Sequence, residues 1–158
     1  MILYHGTTSE FDKIDLGKSA VGKDFGCGFY LSDIREQAME MASFKAYLLS
    51  ARPMVLTYEF DEKCLLDGTL KTLHFKEYTR EWAEFILKNR QNKTRNNVHD
   101  YDYVYGPIAN DRVGVQIRNL LEGNIDMDIF LKNLKYIKGI TYQYYFGTEK
   151  EIKHLKRI

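Results

Sequence analysis

The run Met54-Val55-Leu56-Thr57-Tyr58-Glu59-Phe60 alternates, with Met54, Leu56, Tyr58 and Phe60 on one face and Val55 and Thr57 on the other. A period of two belongs to a strand with one face in the core. Further short strands are predicted at Ile2–Tyr4, Gly28–Leu31, Leu70–Phe75 and Tyr101–Tyr105, the last stopped by Gly106-Pro107, and finally at Ile140–Phe146. Helical patterns lie between them. Asp33 with Glu36 reads as a capping pair opening a helix whose buried stripe is Ile34, Ala38, Met41, Ala42 and Leu49. A second helix sets Tyr78, Trp82, Phe85 and Ile86 on one side, and two short helices span Val113–Glu122 and Asp126–Leu134. No regular β-α-β rhythm runs through this order, so the expected class is α+β. At 158 residues the chain is expected to form a single domain over 1–158.

Two segments lack an apolar period. Residues 9–28 read as a loop or a short irregular helix, and a loop of that length in a compact domain is often functional. Residues 88–97, KNRQNKTRNN, read as a mobile exposed segment, and a short basic segment closes the chain. Twenty-three basic side chains against 22 acidic ones leave a net charge of +1, which gives no global reason to bind nucleic acid or an anionic membrane. No run is long enough to span a bilayer, and no signal-peptide pattern opens the sequence. Cys27 and Cys64 are too few for a disulfide framework or a zinc site. The expected location is therefore the cytoplasm. Twelve tyrosines and nine phenylalanines supply stacking surfaces for a cleft as readily as for a core.

Phosphate-loop, dinucleotide-fold, zinc-protease and nucleophile-elbow motifs are all missing, and His5, His74, His99 and His154 show no metal-ligand spacing. What stands out is an ordered set. Tyr4-His5-Gly6-Thr7 ends the first strand. Gly28-Phe29-Tyr30-Leu31-Ser32-Asp33 leads into a helix carrying Gln37-Ala38 and Met41-Ala42. Asp102-Tyr103-Val104 precedes Gly106-Pro107-Ile108-Ala109-Asn110-Asp111, and Gln143 precedes Phe146. This set resembles the diphtheria-toxin and poly-ADP-ribose-polymerase branch of the ADP-ribosyltransferase superfamily. Over nearly the whole chain it resembles the bacterial ADP-ribosyltransferase-like DUF3990 proteins.

The resemblance implies a split β-sandwich, with NAD held as co-substrate in a cleft between two small sheets and no metal. It implies that His5 donates to the adenosine ribose, that the Gly6 backbone clamps the nicotinamide carboxamide, and that Tyr30 stacks on the nicotinamide ring. Thr7, Phe29 and Asn110 join them as cofactor-binding positions. The glutamate that serves active members is replaced here by Gln143, which brings no charge, so Asp111 becomes the second candidate catalytic residue. Each residue also has a plain structural reading. His5 ends a strand, Gly6 makes a turn, Tyr30 belongs to the core, Gln143 is a buried amide, and Asp111 caps a helix while Asp102 is solvated. The implied function is mono-ADP-ribosyl transfer to an unknown macromolecular or small-molecule acceptor, with an antitoxin protein as partner and no membrane. Three alternatives stay open: an NAD glycohydrolase, a catalytically weak NAD-binding module, and a tyrosine-rich interaction protein.

Overall fold

The computed structural model describes residues 1–158. In chain order its elements are β1 (Ile2–Thr7), β2 (Phe29–Leu31), α1 (Arg35–Leu49), β3 (Met54–Phe60), β4 (Thr72–His74), α2 (Arg80–Gln91), β5 (Tyr103–Pro107), α3 (Asp111–Leu121), α4 (Met127–Leu134), β6 (Tyr142–Phe146), α5 (Glu149–Ile152) and β7 (Leu155–Arg157). The architecture is α+β. A three-stranded antiparallel sheet has the order β1-β3-β7. A four-stranded sheet has the order β2-β6-β5-β4, antiparallel except for the parallel pair β4-β5.

Alternation along the strands builds two cores. Leu3, Leu56, Tyr58 and Phe60 of the smaller sheet pack against Phe29, Leu31, Tyr103, Tyr144 and Phe146 of the larger one. The 54–60 run thus buries the face its alternation predicts. On the other side of the larger sheet, Val104 and Tyr145 pack against Trp82, Ala83 and Ile86 of α2, Val113 and Ile117 of α3, and Phe130 and Leu134 of α4. Strand β6 serves both cores, which is why Tyr144-Tyr145-Phe146 is an unbroken aromatic run. The two sheets meet where Tyr4 and Ser32 exchange backbone hydrogen bonds, Tyr4 N to Ser32 O at 2.7 Å and the return bond at 2.9 Å. No helix is long and apolar enough to cross a membrane.

Helix α1 differs from its predicted stripe. Ala38, Ala42 and Ala46 face the sheet, while Ile34, Met41 and Leu49 are exposed. The cause is the close approach of α1 to β1, which leaves room for alanine and nothing larger. Asp33 is not the cap either: the N-cap is Ile34, without a side-chain bond, and Asp33 accepts from the Tyr144 hydroxyl at 3.3 Å.

Strand β5 runs through Gly106 and Pro107 instead of stopping before them. Ile108 N donates to Thr141 O, toward β6, so by strand alternation the ring nitrogen of Pro107 faces the β4 side. There β4 has already ended opposite Tyr105, and the missing N–H costs no ladder bond. The closing basic segment holds an unpredicted strand, β7, whose Arg157 donates to the Phe11 carbonyl at 2.6 Å and pairs with Glu10.

The 88–97 segment is not a free one. Residues 88–91 complete α2, and Arg95 and Asn97 strap the remainder onto the 17–28 loop. Asn97 accepts from Cys27 N at 2.7 Å and donates to Cys27 O and to the Tyr145 hydroxyl, both at 2.9 Å. The Arg95 guanidinium donates to the Gly17 carbonyl.

Candidate functional site

His5 lies on β1 with the parity of Leu3, so its ring enters the space between the sheets and stacks on Phe29 at 4.3 Å, with the edge of Phe11 at 5.9 Å. Its Nδ1 is 2.8 Å from the Tyr30 carbonyl oxygen. A carbonyl only accepts, so Nδ1 carries the proton. Burial, and then the ammonium groups of Lys45 and Lys23, hold the ring pKa down to about 4 against the favourable carbonyl bond. The imidazole is therefore neutral at pH 7 and Nε2 is a bare acceptor. A ligand hydroxyl would donate to His5; the resemblance implied the reverse direction.

Gly6 is fixed by packing. A Cβ built on it would lie 1.9 Å from the Ala38 carbonyl oxygen of α1. Tyr4 turns its N–H and C=O toward Ser32, so by the two-residue repeat Gly6 turns both of its own to the same side, one step past the bridge. Lys45 Nζ donates to that carbonyl at 2.8 Å, and no side chain accepts from the N–H. The hydroxyl of Thr7, itself buried, forms a local turn with Ser9 at 3.2 Å, which ends the strand.

Tyr30 points to the other face of β2, with its ring edge-to-face on Tyr145 at 5.4 Å. Its hydroxyl donates to Gly26 O at 2.7 Å and accepts from Phe25 N at 3.1 Å. Burial, and then the Asp24 charge, push its pKa well up, so it remains a donor. Gly26 makes this bend with φ +91°, and a Cβ there would meet Asn97 Oδ1 at 2.4 Å. Over the Tyr30 ring, 4.7 Å from its centre, sits the ammonium of Lys23. Burial lowers the pKa of both Lys23 and Lys45, and Lys23 further lowers that of Lys45. Two partly desolvated cations thus flank the His5–Tyr30 junction.

Next to Lys23, Asp24 joins the junction to β6. Gln143 Nε2 donates to Asp24 Oδ2 at 3.2 Å, and Arg90 Nε donates to Oδ1 at 2.7 Å. Arg90 also lines a cavity of about 490 Å³ beside α3, together with Asn110, Asp111, Gly114 and Arg118. Asn110 is the N-cap of α3, accepting from Val113 N at 3.2 Å. Asp111 is exposed in the first turn and forms no ion pair with another side chain. Asp102 is a clamp and not a solvated acid: 5% exposed, it accepts from Lys71 N at 2.8 Å and Thr148 Oγ1 at 2.7 Å.

The family model described as "Protein of unknown function (DUF3990)" matches residues 1–157. The chain belongs to the DUF3990 family. No curated protein and no solved structure gives a significant match.

In this DUF3990 chain, then, one junction collects His5, Gly6, Thr7, Phe29 and Tyr30, and Asp24 links it to Gln143. Asn110 and Asp111 form no hydrogen bond with these residues and instead line the α3 cavity, which Arg90 shares. The sequence reading missed Asp24, Lys23 and Lys45. Lys45 carried a usable signal, being a cation on the otherwise alanine-lined side of α1. Asp24 carried none, because it sits in an irregular loop where no period predicts a direction.

Proposed function

We propose that the chain is an NAD-dependent ADP-ribosyltransferase with the split-sandwich cleft of that superfamily. The observation that carries this reading is the 2.8 Å bond from His5 Nδ1 to the Tyr30 carbonyl, which fastens the HGT segment to the GFY segment at the seam of the two sheets. The parts fit the nucleotide one by one. A backbone N–H and C=O turned to the same side, as on Gly6, complement a primary carboxamide. The Gly6 carbonyl has a second lone pair beyond the one Lys45 uses. The Tyr30 face already holds a cation, and exchanging Lys23 for a pyridinium keeps an attraction of about 0.5–2 kcal/mol. Lys23 and Lys45, the two cations at the junction, offer counter-charge for a diphosphate. His5 Nε2 accepts from a ribose hydroxyl.

The reaction breaks the bond between ribose C1 and the nicotinamide nitrogen, and the electron pair leaves with neutral nicotinamide. The oxocarbenium ion left at C1 is captured by an acceptor nucleophile, whose proton passes to solvent. Water as acceptor makes the same site a glycohydrolase. The reading extends to an acceptor, macromolecular or small, and to a toxin role with an antitoxin protein as partner.

A second reading is favoured by one observation: no carboxylate lies on β6, and Gln143 occupies that place. A binding module would hold NAD without cleaving it. Incubation with NAD labelled in the nicotinamide ring separates the two. Release of free nicotinamide that disappears in Tyr30→Ala supports the enzyme; saturable retention without release supports the module. Neither release nor retention removes both.

A further inference from the structure

Gln143 poses a chemical problem that its surroundings answer. An amide presents a donor at one end and an acceptor at the other, and a freely turning one offers either to a ligand. Replacing a carboxylate requires that only the oxygen face the sugar. Asp24 accepts and cannot donate when ionised, so it can bond only the NH2 end, and it does so at 3.2 Å. Gln143 Oε1 has no protein partner, and the residue is only half-buried. Asp24 is itself pinned: its side chain is 15% exposed and Arg90 holds its other oxygen at 2.7 Å. The adjacent residue, Lys23, lies over Tyr30. The amide and its anchor therefore stand beside the ring proposed to carry nicotinamide.

We infer that Asp24 is the positioning residue that fits Gln143 for nucleotide cleavage: it locks the amide with Oε1 toward the nicotinamide ribose. This rests on the NAD reading above. A carboxylate bonded behind the amide also polarises it, strengthening the oxygen as an acceptor from the ribose hydroxyl as positive charge develops at C1. The chain thus replaces one glutamate with a glutamine and a remote charge.

The test is a double-mutant cycle in nicotinamide release. Asp24→Asn offers Gln143 a group that either donates or accepts, so the amide is no longer locked. The expected loss is about five- to tenfold in kcat, with KM for NAD changed less than about threefold, since a charged hydrogen bond exceeds a neutral one by about 1–1.5 kcal/mol. In a Gln143→Glu background the same Asp24→Asn change is expected to cost nothing or to raise kcat, because a carboxylate at 143 needs no orientation and is repelled by Asp24. A purely structural Asp24 would lower both backgrounds alike, and that outcome, or full activity of folded Asp24→Asn, overturns the inference. Should Asp24→Asn fail to fold, the side-chain amide protons of Gln143 in the unmodified protein decide. Slowed solvent exchange, assigned by loss of the signal in Gln143→Glu, is expected, and freely exchanging protons overturn the lock. Absence of any NAD binding or release by the unmodified protein defeats the nucleotide reading itself, a result separate from equal losses in the cycle.

Discussion

Gly6 on β1 and Ala38 on α1 stand so close that a side-chain carbon on Gly6 would meet the Ala38 carbonyl oxygen at 1.9 Å. The obstacle is helix backbone, which has no rotamer to change. This contact sets the height of α1 above the smaller sheet, and it explains both the alanine stripe of the helix and its exposed apolar residues.

Gly6→Ala is therefore expected to cost roughly 3 kcal/mol, the upper range for overpacking a rigid site. Met41→Gln and Leu48→Gln, at positions 54% and 63% exposed, should each change stability by less than about 0.5 kcal/mol. Urea denaturation checks all three. A costly Met41→Gln would restore the stripe predicted from the sequence.

That contrast marks what the sequence could disclose. The alternation of 54–60 and the aromatic run of β6 were legible because burial imposes their period directly. The convergence of His5 and Tyr30 was foreshadowed by ordered motifs, though not by any periodicity. Helix α1 misled because hydrophobic spacing assumes the large residues go inside, whereas a glycine on the opposing strand admitted only small ones. Strand β7, the 88–97 strap and the Asp24–Gln143 bond escaped for another reason. Each is fixed by partners far away in the chain, Phe11 for Arg157, Cys27 for Asn97 and Gln143 for Asp24, and polar side chains carry no local record of such partners.

Glu151 gives a pH signature. Fully buried with both carboxylate oxygens unpartnered, it has a pKa pushed up to about 9 by burial and then by Asp102. The folded state keeps a proton that the unfolded chain releases near 4.5, so this group's contribution is full below pH 4.5 and is lost as pH rises toward 9. Glu151→Gln removes the effect. Its stability relative to the unmodified protein should climb with pH through that window, by at most about 1.4 kcal/mol per unit. A difference independent of pH would place the carboxyl in water.

His5 works in the opposite direction. Its pKa is held down to about 4 from the ordinary 6.5, so the unfolded chain binds the extra proton, and stability falls as pH drops from 6.5 toward 4. His5→Gln should flatten the acid limb of the stability profile. Denaturation midpoints at about pH 7 and about pH 4.5, either side of most of that window, measure it. An unchanged acid limb would mean that the ring is solvated.

Asn97 should govern the loop that presents Tyr30. Asn97→Ala removes three hydrogen bonds and should lower stability by about 2–3 kcal/mol. Hydrogen exchange at the amides of residues 26–28 should rise well beyond that of β3. Uniform acceleration over the whole chain would instead indicate global destabilisation alone.

The most direct measurement is calorimetric titration of NAD into the unmodified protein, His5→Ala and Tyr30→Ala. Saturable binding to one site is expected, weakened in His5→Ala and abolished in Tyr30→Ala, with both variants folded. No heat from the unmodified protein, or equal binding by all three, would contradict the NAD reading.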